Sequence, residues 1–442
     1  MSIFKAYDVR GVYPEELDEA LARRIGVAFA THLRARRVVV GRDMRGSSPS
    51  IQAALVDGLT AQGADVIDIG LSSTPMVYFA IGHLGVDGGV AVTASHNPAE
   101  YNGFKLSREQ AIPMSQETGI GEIAGLVEKG GGPDAGRRGK VSSADIRSAY
   151  RDHIRRFASA WRPLEVVVDT ANGMGGLEVP LILDGSPLHV TWLYKELDGT
   201  FPNHEANPLK DENLEDLART VVKKGAHVGF AFDGDSDRCA FVDEAGRRVP
   251  SDIVTALIAR QVLPQERGGA IVYDLRSSRM LPEEIVKSGG RPVRERVGHS
   301  FMKATLRREQ GPFGGELSGH FYFRDNYYAD SSLLAMVHML NIMSTEARPL
   351  SEIVAPLRRY PSTGEVNFQV ADKDGKIRDL AAVFEDAEID YLDGITVQYA
   401  DWWFNVRKSN TEPLLRLMLE AKEKGLLEEK RRLLYDLLGK PV

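Results

Sequence analysis

Apolar positions along the chain fall into short runs separated by helical spacings. Residues 38–40 are Val-Val-Val and read as a buried strand; 49–59 have helical spacing, with Ser48 as the cap. Residues 64–69 are strand-like and 75–84 read as a helix opened by its proline. Residues 89–92 form a strand that runs straight into Thr93-Ala94-Ser95-His96-Asn97-Pro98. That β-α-β-α-β order predicts an α/β sheet covered by helices. Glycine and charge break the pattern at 130–133 and 137–140, a solvent loop near a boundary. A second unit runs from the strand 166–168 to the strand 227–232, which enters Asp233-Gly234-Asp235-Ser236-Asp237-Arg238. A third opens with a helix near Asp252, a strand at 270–273 and a glycine-marked segment around 314–320. From about Tyr360 the alternation at 366–370, 395–399 and 415–419, with a charged amphipathic helix at 424–438, predicts a small α+β domain.

Each of the first three units sends an apolar strand into a polar loop, the place where α/β sheets collect ligands. Pooling of those loops in one cleft is the natural expectation. Composition narrows the field further. The 442 residues carry 55 basic and 62 acidic side chains, a net charge of −7, with no basic face long enough for nucleic acid. No apolar run is long enough to span a membrane, and the charged first residues do not resemble a signal peptide. The one cysteine, Cys239, excludes an internal disulfide and any Cys-rich metal site. A cytoplasmic protein is expected.

The three aspartates of 233–238 make a hard-oxygen cage for Mg²⁺ or Ca²⁺. An EF-hand is disfavoured because Arg238 stands at its glycine position and strands flank the loop; an acidic hairpin turn is the plain alternative. Ser95 beside His96 suits a hydrolase, a plain Ser/Asn/Pro loop, or a hydroxyl that carries a phosphoryl group. The last needs a cation and positive side chains, which the aspartate loop and Lys105 could supply. Gly314-Gly315-Glu316-Leu317-Ser318-Gly319-His320 offers sugar-binding groups and an imidazole, or simply a glycine-rich turn. Arg407-Lys408-Ser409-Asn410-Thr411 offers a guanidinium fork and hydroxyl and amide donors for a phosphate, or an exposed polar loop. Gly298-His299-Ser300 opens a helix whose amides could meet an anion, and the segment from Tyr7 to Arg10 could send its arginine into a site. Trp402-Trp403 reads as core.

In this order, Thr93 to Pro98, Asp233 to Arg238, Gly314 to His320 and Arg407 to Thr411 resemble the α-D-phosphohexomutase family. The Gly-Glu-Leu-Ser-Gly-His form and Ser409-Asn410-Thr411 are most similar to its bacterial phosphomannomutase/phosphoglucomutase branch. The resemblance implies three similar α/β domains with mixed sheets and a smaller C-terminal α+β domain around a central cleft, dividing as 1–140, 141–245, 246–358 and 359–442. It implies phosphoryl exchange between the 1- and 6-positions of mannose or glucose phosphates through a hexose 1,6-bisphosphate, which also serves as activator. Ser95 would be a phosphoserine ligating one Mg²⁺ with Asp233, Asp235 and Asp237. Lys105, Arg10, Arg238 and His320, with His96 beside the serine, would move protons or balance charge. Glu316 and Ser318 would hold sugar hydroxyls; Tyr7, Arg276, Gly298 and His299 would line the substrate; Arg407, Ser409, Asn410 and Thr411 would hold the idle phosphate. Ser236 replaces the family's usual glycine and Arg276 a common lysine. Other readings are a phosphoglucosamine mutase, a serine hydrolase or a non-catalytic phosphosugar- or Ca²⁺-binding protein. The sequence does not choose between monomer and dimer.

Overall fold

The structure, a computed structural model, describes residues 3–130, 132, 135–409 and 414–442. Four sheets follow one another along the chain. The first has six strands, in the order Val9–Val12, Tyr101–Arg108, Gly88–Val92, Arg37–Arg42, Asp65–Leu71 and Val141–Ser143. Its last four strands run parallel, whereas Tyr101–Arg108 returns antiparallel beside Gly88–Val92. The second sheet repeats this plan. Val228–Phe232, parallel to Glu165–Asp169, is followed by antiparallel Cys239–Asp243. In the third, Phe313–Gly315 is parallel to Ala270–Asp274 and is followed by antiparallel Phe321–Phe323. The fourth sheet is wholly antiparallel.

The repeat has a functional consequence. In all three domains the hairpin that reverses direction after a buried parallel strand carries a chemical segment: 93–100, 233–238 and 316–320. Strands buried on both faces, such as Val228–Phe232, account for the continuous apolar runs in the sequence.

One contiguous apolar core joins the first three domains, with Tyr78, Val168, Val254 and Leu334 among its buried members. The fourth domain has its own, around Phe404, Leu417 and Leu434. Trp402 and Trp403 are buried, as expected, and so is Cys239. The strand Val141–Ser143 pairs in the first sheet and Arg248–Val249 in the second, so the chain passes both 140 and 245 before leaving those sheets. Ser48 is not the cap of its helix. It is the first residue of Ser48–Ala61, and its hydroxyl donates to Asp43 at 2.5 Å. Among the described residues no helix is long and apolar enough to cross a membrane.

Candidate active site

Ser95 follows the buried strand Gly88–Val92 and takes a left-handed φ of 53°. For a residue with a Cβ this backbone state must be held by its surroundings. Ser95 N–H donates to Thr93 Oγ1 at 2.9 Å, and Ser95 Oγ donates to Asp233 Oδ2 at 3.1 Å. His96 Nδ1 lies 3.2 Å from the same hydroxyl. Burial, then Arg238 and Arg10, push this imidazole well below its ordinary pKa, so it is neutral. Arg10 donates to Asn97 Oδ1 at 2.5 Å and pairs with Asp8 at 2.7 Å.

Asp233, Asp235 and Asp237 are fully buried, with ligand oxygens within 4.8 Å of one another. Burial and mutual repulsion drive Asp233 well above its usual carboxylate range. Among the described residues Asp235 Oδ1 has no hydrogen-bond partner, and Asp237 Oδ1 has only the His320 imidazole at 3.3 Å and the Arg238 guanidinium at 3.9 Å. Crowded carboxylates with an orphaned oxygen fit a divalent cation, and the donor set is the oxygen-only one that Mg²⁺ takes. The flanking elements are strands, which removes the EF-hand reading. Ser236 has φ 60°, a state glycine enters freely, and Ser332 Oγ donates to its carbonyl at 2.5 Å.

Lys105, from the antiparallel return strand, donates to Asp235 Oδ2 at 2.6 Å and also to Asp237 Oδ2. Burial opposes its charge, but Asp235 and Asp237 hold its pKa above the usual value. Thr74 Oγ1 donates to Asp235 Oδ2 at 2.5 Å.

The third hairpin closes the site from the opposite side. His320 lies with Nε2 3.3 Å from Asp237 Oδ1 and Nδ1 3.5 Å from Glu316 Oε2. Burial lowers its pKa, but Asp237 and Glu316 outweigh that and raise it to about 9, so the ring is protonated. Ser318 Oγ is 2.8 Å from His320 Nδ1, and Arg238 Nε is 3.3 Å from Nε2. Glu316 accepts from Gly298 N–H at 3.1 Å and from the Tyr322 hydroxyl at 2.8 Å. Gly298 has φ 136°, and a Cβ there would stand 2.6 Å from the Tyr7 hydroxyl, so only glycine fits. Tyr7 packs edge-on to His299 at 5.3 Å between ring centres, and burial raises its hydroxyl to about 12. His299, at the start of its helix, has a buried Nδ1 with no hydrogen-bond partner among the described residues and is kept neutral by burial and then Lys303.

Arg276 pairs with Asp274 at 2.9 Å and reaches Glu365 of the fourth domain at 3.4 Å. Glu365 also accepts from Arg407 at 2.7 Å and Arg416 at 3.0 Å. Arg407 is thereby tied to the site through one carboxylate. Ser409 donates its N–H to the Leu414 carbonyl at 2.9 Å; Asn410 and Thr411 lie outside the described residues. A cavity of about 1240 Å³ opens between the third and fourth domains, bordered by Arg276, Ser318 and Glu365.

Sequence reasoning missed Thr74, Arg45, Asp274 and Glu365. For Arg45 and Asp274 a signal existed: Asp43-Met44-Arg45-Gly46-Ser47 and Asp274-Leu275-Arg276-Ser277-Ser278 share the spacing Asp-x-Arg-x-Ser after the opening parallel strand of their sheets.

Three serial α/β domains whose hairpins bring a serine, a buried carboxylate triad, a lysine and an imidazole into contact fit the class of metal-assisted phosphoryl-transfer enzymes. Comparison with known proteins narrows the class. The chain matches the phosphoglucomutase/phosphomannomutase α/β/α domains I, II and III at residues 1–131, 148–246 and 250–360, and the C-terminal domain at 365–435. It is 42% identical over 445 residues to phosphohexose mutases of Xanthomonas campestris pv. campestris, covering 98% of both chains. To the phosphomannomutase of Salmonella montevideo it is 39% identical over 452 residues, covering 99% of each. A crystal structure of a phosphoglucomutase/phosphomannomutase family protein from Burkholderia thailandensis superposes with a TM-score of 0.92 at 35% identity, covering 100% of this chain and 98% of that one. The chain belongs to the phosphoglucomutase/phosphomannomutase family, and it is a phosphohexomutase, an isomerase. The buried aspartates form an acidic group of the kind that could hold a metal ion.

Proposed function

We propose that this enzyme interconverts the 1- and 6-phosphates of mannose and glucose, with Ser95 as the phosphoryl carrier and Mg²⁺ held by Asp233, Asp235, Asp237 and the serine's phosphate. The observation that carries this is the 3.1 Å contact between Ser95 Oγ and Asp233 Oδ2, with His320 of the third hairpin 3.3 Å from Asp237 of the same loop. When bound, the cation neutralises charge on the phosphoryl oxygens. The chain's own residues do the rest by position and charge.

Phosphorylated Ser95 gives its phosphoryl group to the free hydroxyl of a hexose phosphate. The P–Oγ bond breaks, a P–O bond to the sugar forms, and the hydroxyl proton leaves to a base. His96 and His299, kept neutral by burial, are able to accept it. Lys105, Arg238 and His320 are charged and stabilise the oxyanions, and Arg10 holds Asn97 of the serine loop. The resulting 1,6-bisphosphate turns over and returns its other phosphate to Ser95; added bisphosphate acts as activator by rephosphorylating the serine. Glu316 and Ser318 hold the sugar hydroxyls, Tyr7, Gly298 and Arg276 shape their surroundings, and Arg407, Ser409, Asn410 and Thr411 grip the idle phosphate.

The test is phosphorus NMR of the protein with Mg²⁺, a trace of glucose 1,6-bisphosphate and a mixture of mannose, glucose and glucosamine 1-phosphates. Growth of 6-phosphate signals from the mannose and glucose substrates is expected, and Ser95→Ala should stop it. Release of inorganic phosphate, or turnover retained in Ser95→Ala, would overturn the proposal.

A further inference from the structure

We infer that Arg45 is the positioning residue for the phosphoryl-carrying serine: its guanidinium sets the geometry of the 95–101 loop. This inference rests on the function proposed above. Arg45 touches none of the reacting groups, yet its side chain is completely buried. All five of its N–H donors are used. Nε donates to Asp43 Oδ2 at 3.2 Å. Nη1 donates to the carbonyls of Pro98 at 2.6 Å and Tyr101 at 3.1 Å. Nη2 donates to the carbonyls of Ser95 at 3.0 Å and Asn97 at 2.7 Å.

Four carbonyls of one short loop thus converge on a single rigid fork, one of them belonging to Ser95 itself. The left-handed φ of Ser95 needs such a constraint, because the loop has no ladder bonds of its own at that point. The fork is fixed in turn. Asp43 accepts from Arg45 N–H at 3.1 Å and from Ser48 Oγ at 2.5 Å, and Asn102 donates to the Ser47 and Ser48 hydroxyls at 2.8 and 3.1 Å. From the second domain, Phe201 places its ring 5.0 Å from the guanidinium carbon. Gly199 presses so close that a Cβ there would stand 2.5 Å from Arg45 Cα.

The third domain holds the same device in another use. Arg276 N–H and Nε bind Asp274 as Arg45 binds Asp43, and Asp274 also accepts from Leu317 N–H of the sugar loop at 2.6 Å. There the fork faces Glu316 of its own hairpin at 3.8 Å and reaches Glu365 of the fourth domain at 3.4 Å. One Asp-x-Arg pair, repeated after equivalent strands, anchors a chemical hairpin in both domains. A lysine cannot do this, since one ammonium has three donors and no fixed fork.

The test is steady-state kinetics of Arg45→Gln and Arg45→Lys on glucose 1-phosphate with Mg²⁺, normalised to phosphoserine content by intact mass. A misplacement of about 1 Å can cost about 100-fold in rate. Arg45→Gln should therefore lose about 100-fold in kcat per phosphorylated site, and Arg45→Lys about 10-fold or more by the same argument. KM should stay within about twofold, because the residues proposed to hold the sugar hydroxyls and the idle phosphate, Glu316, Ser318 and Arg407, lie in other domains. A merely structural role would lower the folded fraction and leave normalised kcat alone. If Arg45→Gln does not fold, Arg45→Lys decides the question. Normalised kcat within about threefold of wild type, or KM and kcat changing together, would overturn the inference. Wild-type protein that fails to isomerise would instead overturn the proposed function.

Discussion

Lys105 sets the electrostatics of the metal-binding loop, because its ammonium neutralises two buried carboxylates, Asp235 and Asp237. Lys105→Met removes the nearest cation from both, leaving Asp235 without a charged partner in contact and Asp237 with His320 and Arg238, and breaking a buried pair in this way costs about 3–5 kcal/mol. A divalent cation on the same carboxylates offsets that loss. Without metal, thermal unfolding of the variant should therefore begin well below that of the wild type, and Mg²⁺ should raise its midpoint by more than it raises the wild type's. Turnover should stay depressed by about 100-fold or more even at saturating Mg²⁺, since charge at the reacting oxygens is missing. Equal Mg²⁺ shifts in the two proteins would show that lysine and cation do not share these carboxylates. The aspartates themselves are legible in sequence, because three acids at alternate positions behind an apolar strand have little structural use. Lys105 is weaker in sequence, and Glu365 is silent: an isolated charge gains meaning only from partners far along the chain, such as Arg407 for Glu365.

At the scale of elements, the chemical hairpins were readable because a buried strand must end in polar, glycine-marked chain. Their edges were not. Val141–Ser143 is a strand by pairing alone, with all three residues exposed, so no apolar alternation announces it. The contact between the first and second domains is likewise invisible in sequence, and it carries a titratable group. Glu178, on the helix Gly175–Leu183, is fully buried and accepts from Ser73 N–H at 2.9 Å, with Tyr150 and Asp235 as its other ionisable neighbours. Burial raises its pKa from 4.5 to about 7, outweighing the bonds from Ser73. A carboxyl with a folded pKa above its unfolded one contributes stability below about 4.5, and this is lost as pH rises through about 7. The shift corresponds to about 3 kcal/mol as an order of magnitude. Glu178→Gln keeps an acceptor for Ser73 and cannot ionise. Its melting temperature should exceed that of the wild type at pH 8, and the gap should shrink towards pH 5. A gap independent of pH would mean that Glu178 does not titrate in this range.

Over the whole molecule, one core unites the first three domains, whereas the fourth has its own and is held largely by polar contacts. Arg279 donates to the Ala400 carbonyl at 3.0 Å and its N–H to Glu420 at 3.0 Å, and Arg276 reaches Glu365. Such a joint suits a domain that must admit and release a phosphosugar. Its centre is Glu365, a single carboxylate among Arg276, Arg407 and Arg416, which after the opposing effect of burial hold its pKa at about 2. This carboxylate accepts from Arg407 at 2.7 Å and from Arg416 at 3.0 Å, while Arg276 is shared between it and Asp274. Glu365→Gln preserves shape and removes the charge, so that the positive field of Arg407 and its neighbours is less offset when an anion enters. Inorganic phosphate should then inhibit the variant competitively at a concentration several-fold lower than it inhibits the wild type. The difference should narrow as salt is added, since screening over about 8 Å at physiological ionic strength weakens exposed charge most. An unchanged inhibition constant in Glu365→Gln would mean that Arg407 and Arg276 do not face the idle phosphate, and the grip would have to be sought elsewhere in the fourth domain.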